Sequence, residues 1–329
     1  MSMSSKSNRS FRNDYGSPEI EESTGSAEQE ESSNIDIREE APTDWLRLLK
    51  YDELEEWQKD NEFIQKWYRA PMHSFKYSLL SCFRWHNETI NIWTHFLPSV
   101  FFAVFIVTHS SLSSENFVNQ IEEKQIIGLF VFFAWLCLFL SALFHTFLAH
   151  SRKISSIFGR LDFCGITLLI MGSFIPWIYY NFYCMPQSQL SYISCLSVLG
   201  LFTMVFTQWQ RFSTPEYRVV RACLFIALAM SSMIPIFHAC ARVGVVNAWE
   251  ECQLKWIVIM AASYLFGTYL YATQKPEADF PGKFDLFGCS HNIFHIFVVG
   301  GVVSHLIGVT NLRDLRQALG SNCTDLPDQ

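Results

Sequence analysis

The feature that most constrains this chain is a series of seven apolar stretches, each close to the roughly 20 residues that a bilayer crossing needs. They run over residues Ile90–Thr108, Gln125–His150, Leu161–Tyr183, Leu190–Trp209, Tyr217–Phe237, Leu254–Gln274 and Cys289–Asn311. Hydrocarbon offers no partner to a backbone N–H or C=O, so segments of this length must be helices. The expectation is an all-α membrane protein, a seven-transmembrane helix bundle. Composition agrees, with half the residues apolar and 30 Phe among them. A retinal protein is excluded, because the last stretch holds no lysine for a Schiff base. Neither the internal repeats nor the broken helices of a transporter are apparent. Haem between facing histidines stays a minor alternative.

The connections set an orientation. Arg152, Lys153 and Arg160 follow the second stretch, Arg211 and Arg218 the fourth, and Lys275 and Lys283 the sixth, whereas the alternate connections offer little beyond Lys124 and Arg242. By the positive-inside rule the N-terminus is cytosolic and the C-terminus extracellular. Residues 1–60 carry seven Lys and Arg against sixteen Asp and Glu, so the acidity of the chain belongs to its leader. Residues 1–42, rich in Ser, Glu and Asn, read as a disordered acidic cytosolic tail. Residues 43–88 read as a cytosolic segment with one or two short amphipathic helices between Trp45 and Trp67. Residues 89–312 form the membrane domain, and 313–329 a short extracellular tail. No apolar run with a cleavage site opens the sequence, so targeting is expected to fall to the first spanning helix. Most of the ten cysteines lie within apolar stretches, where they act as small hydrophobes, and no structural disulfide set is expected. The sequon at Asn87 is expected to face the cytosol unused, and that at Asn322 to lie outside.

Histidines carry the chemistry. His291 and His295 are four apart, so a helix presents both rings on one face about 6 Å apart along its axis. Packed or capping histidines fit that spacing too. The topology adds His145 near the inner end of the second span and Asp162 near the inner start of the third, at the depth where the seventh begins with His291. Three histidines, an open position and a neighbouring carboxylate are what a Zn²⁺ site needs. His150 is turned off the His145 face and is second choice, and His305 lies about 15 Å further along the last helix. Ser141 shares the face of His145; a donor to a metal-bound water and a hydroxyl bonded to the preceding turn both fit it.

The stretches DNEFIQKWYRAP (60–71), HNETINIWTH (86–95), SALFHTFLAHS (141–151), LDFCGITLLIMGSFIPWIYYNFYC (161–184) and SHNIFHIFVV (290–299) resemble the progestin and adipoQ receptor family, and within it the adiponectin receptors. The resemblance implies a seven-helix bundle with a cytosolic N-terminus and zinc near the cytosolic face. It puts the zinc ligands on His145, His291 and His295, the water-holding aspartate on Asp162 and the serine on Ser141. Ile90, Ala70, Phe163, Cys164 and Asn292 depart from the common pattern without removing a ligand. The implied function is a receptor of fatty-acid and membrane-lipid metabolism that hydrolyses a ceramide-like lipid amide to a free fatty acid; the alternative is a non-catalytic sensor with a structural zinc. Expected partners are membrane lipids, with room for an extracellular protein ligand and a cytosolic adaptor at the N-terminal tail, and no nucleic acid. The plasma membrane is the expected location.

Overall fold

Each apolar stretch satisfies its backbone internally, as the absence of water in a bilayer core demands. The computed structural model describes residues 45–111, 119–319 and 323. The expectations for residues 1–42 and for the sequon at Asn322 lie outside them. Among the described residues seven helical spans are long and apolar enough to cross a membrane. They are α2 (Thr89–Ser111), α3 (Asn119–Phe147), α4 (Arg152–Asn181), α5 (Pro186–Thr207), the pair α6 (Arg218–Met230) and α7 (Met233–Val243), α9 (Leu254–Thr273) and α10 (Ser290–Leu319). A short α1 (Phe75–Ser81) precedes them, and α8 (Val245–Glu251) joins α7 to α9. The chain is an integral multi-pass membrane protein built as a seven-helix bundle.

Packing centres on α10, which touches α2, α3, α4 and α9, while α3 lies along both α2 and α4. The core among them holds Phe130, Leu138, Trp177, Phe182, Val302 and Val309, all but excluded from solvent. Large apolar side chains such as Phe101, Val205 and Phe237 stay exposed on the outside, as a lipid-facing surface requires. The α3–α4 contact is close because of Gly165, where an added Cβ would stand 2.9 Å from the Cys137 Cα.

Several boundaries differ from the sequence reading. The third span begins at Arg152 rather than Leu161, because Ser151 caps the helix, its side chain accepting from the Ile154 N–H. Asp162 therefore lies about three turns inside α4 instead of at its start. The fifth span, read as one apolar stretch, divides into two helices. Ser231 and Ser232 each bond their hydroxyl back to a carbonyl three residues earlier, at 2.6 Å, and Pro235 follows in the first turn of α7, where its missing N–H costs nothing.

The amphipathic helices expected between Trp45 and Trp67 are absent. That region instead forms two single turns, Tyr51–Glu53 and Glu56–Gln58, and an antiparallel pair of β1 (Leu48–Leu49) with β2 (Tyr68–Arg69). Its apolar residues do not follow a helical stripe; Leu49, Leu54, Ile64, Tyr68 and Ala70 gather with Cys289, just before α10, in a second small core. A disulfide that the sequence reading did not foresee joins Cys184 to Cys323, with Cα atoms 5.5 Å apart. Both cysteines fall just past the ends of apolar stretches, at the same end of the bundle.

Candidate metal centre

His145 sits in the last turn of α3, and His291 and His295 in the first two turns of α10. Their ring centroids are 5.0 Å apart for His145–His291 and for His145–His295, and 4.7 Å for His291–His295. One ligating nitrogen from each lies within 4.8 Å of the other two, so the three could hold a metal ion. The tautomers support this. His145 Nδ1 meets Glu88 Oε2 at 2.7 Å, and a carboxylate accepts, so that nitrogen carries the proton and Nε2 presents a lone pair. His295 Nδ1 likewise faces the carbonyl of Asn91 at 3.1 Å, which turns its Nε2 inward. His145 Nε2 and His291 Nε2 stand 3.2 Å apart, an approach that a shared cation or proton relieves.

Glu88 and Asn91 are the residues that sequence reasoning missed. Asn91 donates to Glu88 Oε2 at 2.8 Å and its Oδ1 accepts from Asn292 at 2.7 Å, whose own Oδ1 accepts from the Gly288 N–H at 2.9 Å. One chain of amides thus runs from the loop before α10 to the carboxylate that orients His145. Burial opposes a charge on Glu88, yet bonds from His145 and Asn91 outweigh it and hold its carboxyl down at about 2. An ionised carboxylate behind a ligating imidazole raises its basicity and fixes its tautomer. The only sequence signal was an acidic residue at the mouth of a span, which reads equally as an interfacial charge.

Asp162 comes to the same place from α4. It lines, with Glu88, His145, His291, Arg218 and Tyr271, a cavity of about 1040 Å³ open at the histidine end of the bundle. Ser141 lies beside it with its hydroxyl toward the carboxylate. His150 and His305 stand apart. His150 lies in the turn after α3, with its ring against Phe75 at 4.4 Å, and His305 packs edge-on against Phe130 at 4.8 Å. His95 stacks parallel on His295 at 3.6 Å, buttressing that ring from behind. The Asn87 side-chain nitrogen, which a glycan would occupy, donates to Glu88 Oε1 at 2.9 Å.

These features define a seven-helix membrane protein with a histidine triad at one end of the bundle, backed by a carboxylate. Residues 83–306 match the haemolysin-III-related family. The chain belongs to that family, among its adiponectin-receptor and progestin and adipoQ receptor members. It is 39% identical to a Drosophila melanogaster protein named adiponectin receptor protein, over 84% of this chain and 62% of that one. To progestin and adipoQ receptor-like protein 1 of Caenorhabditis elegans it is 40% identical, over 82% and 62% respectively. Heptahelical transmembrane protein 1 of Arabidopsis thaliana is 34% identical, with 83% of each chain covered. The chain thus spans about three fifths of the length of the two animal relatives.

Proposed function

We propose that this chain is a zinc-binding receptor of the adiponectin-receptor type, acting in fatty-acid and membrane-lipid metabolism, and that it hydrolyses a ceramide-like lipid amide. The observation that carries the reading is the convergence of three imidazoles beside a wide cavity, which His145 and His291 line together with Asp162. Zinc held there by His145, His291 and His295 would supply a Lewis acid and would acidify water at the site. The chain's own groups do the rest. His145, His291 and His295 hold the ion, and Glu88 keeps the proton on His145 Nδ1. Asp162 orients the attacking water, accepts its proton and passes it to the leaving amine, while Ser141 donates to the carbonyl oxygen as charge develops there. A C–O bond forms and the amide C–N bond breaks, giving a free fatty acid and a sphingoid base.

The orientation belongs to the same proposal, with the N-terminus cytosolic and the C-terminus extracellular in the plasma membrane. Two observations support it. Arg152, Lys153 and Arg160 cluster at the histidine end, as the positive-inside rule expects of a cytosolic face. The Cys184–Cys323 bridge lies past the far ends of α4 and α10, and disulfides persist in oxidising compartments. The receptor part rests on the name of the Drosophila relative; it leaves an extracellular protein ligand outside and a cytosolic adaptor at the acidic leader as the partners to seek.

Elemental analysis of purified protein tests the site. About one zinc per chain is expected, lost in His291→Ala and retained in His305→Ala. Equal zinc in wild type and His291→Ala would remove the assignment. Asp162→Asn should keep most of the zinc and lose ceramide turnover, and unchanged turnover would take Asp162 out of the mechanism. A non-catalytic sensor with a structural metal is the second reading, favoured by the amide chain that ties α2, α3 and α10 together around the triad. Zinc-loaded protein without turnover on any lipid amide would select it.

A further inference from the structure

Two buried charges outside the triad act on the helix ends that carry it. Arg69, on β2, is 4% exposed. Its Nη1 donates to Ser81 Oγ at 2.8 Å and to the Thr146 carbonyl at 2.9 Å, and its Nη2 to the His145 carbonyl at 2.5 Å. The last carbonyls of a helix lack intrahelical donors and carry the negative end of the dipole, so a forked cation suits them. The backbone continues the contact, with Met72 N–H and His73 N–H donating to the carbonyls of Ala149 and His150, each at 2.9 Å. The turn that ends α3 is thus clasped from outside immediately behind His145.

Glu277 acts at the other ligand-bearing end. It is fully buried and accepts from the Ser290 N–H at 2.6 Å and from the Ser290 hydroxyl, which puts a carboxylate on the positive end of α10 one residue before His291. Its Oε1 also accepts from Asn61 Nδ2 at 3.1 Å. Asn61 precedes Arg69 on the same pre-membrane segment. Gln65 N–H donates to Asp285 and Gly282 N–H to the Phe63 carbonyl, each at 2.9 Å, fastening that segment to the loop before α10.

We infer that the segment Asp60–His73 is a positioning element of the metal centre, with Arg69 and the Asn61–Glu277 pair fixing the α3 and α10 ends against each other. Docking of the segment and filling of the site then strengthen one another by an equal factor, because linkage is reciprocal. The inference rests on the metal-binding reading above. A cytosolic partner that grips the segment would change metal affinity without touching a ligand.

The test uses the full chain in nanodiscs with cobalt as the probe, read by its d–d absorption and by competition with a chelator. Arg69→Lys keeps the charge but loses the fork. It and Asn61→Leu should each weaken cobalt affinity by about tenfold or more and alter the absorption band, whereas Arg47→Gln, an exposed change earlier in the pre-membrane region, should do neither. In unmodified protein, loading should slow amide hydrogen exchange across residues 60–73, a readout that does not depend on any variant folding. Unchanged affinity and spectrum in both variants, or exchange in 60–73 that ignores the metal, would overturn the inference while leaving the triad intact. Wild type that binds no cobalt would overturn the metal reading itself, and this inference with it.

Discussion

His145 has both ring nitrogens committed, one to Glu88 and one to the triad, so it couples the end of α3 to the residue before α2 and to α10. Glu88→Gln should therefore lower zinc affinity about 10- to 100-fold, measured by chelator competition, since the amide carries less charge behind the imidazole. His86, two residues earlier, makes a pH prediction. Burial, with the nearby Arg69 charge adding to it, holds this imidazole down at about 2. The unfolded chain then binds the extra proton, so the contribution of His86 is complete above its ordinary 6.5 and is lost as pH falls below that value. Melting temperature in detergent should drop between about pH 7 and about pH 5, and His86→Asn should flatten part of that slope. At this scale the triad was readable, because the four-residue spacing of His291 and His295 and the parity of the spans limit where a third ligand can come from. Glu88 was not. Its partner is 57 residues away, and nothing local separates a carboxylate that orients an imidazole from one that faces water.

The helices as elements were legible in their number and less so in their ends. Hydropathy responds to apolar length, so it found seven spans, yet it cannot register that Ser151 starts α4 early or that two serines give the fifth span local carbonyls to bond. The pre-membrane region misled for a related reason. Its apolar residues stand among charged ones as they would in an amphipathic helix, but β2 lies just before Pro71 and pairs back on β1, so long-range contacts override the local pattern. Close approach makes a prediction here. Gly165→Ala brings a methyl against the Cys137 backbone, between the helices that carry Asp162 and Ser141. It should destabilise the protein by about 1–3 kcal/mol in a thermal or denaturant series, with a larger loss for valine.

For the whole molecule, the histidine centre and the disulfide lie near opposite ends of α10, whose 30 residues span about 45 Å. Perturbations that far apart should be independent. Chelation and reduction should each lower the melting temperature, and together their effects should add. On intact cells a membrane-impermeant thiol reagent should reach Cys184 and Cys323 only after a reductant; labelling that requires permeabilised cells would reverse the orientation. The same geometry bears on how a message could cross. Past its last turn α10 is tethered to α4, with Arg316 laid over the Tyr183 ring at 4.2 Å, and at its first turn it is fixed by the contacts of Ser290 and His291. A rod clamped at both tips can bow but cannot slide or rotate as a piston. Relative travel between the two faces of this protein therefore falls to the remaining helices, and the α6–α7 span is where the helical ladder is already interrupted.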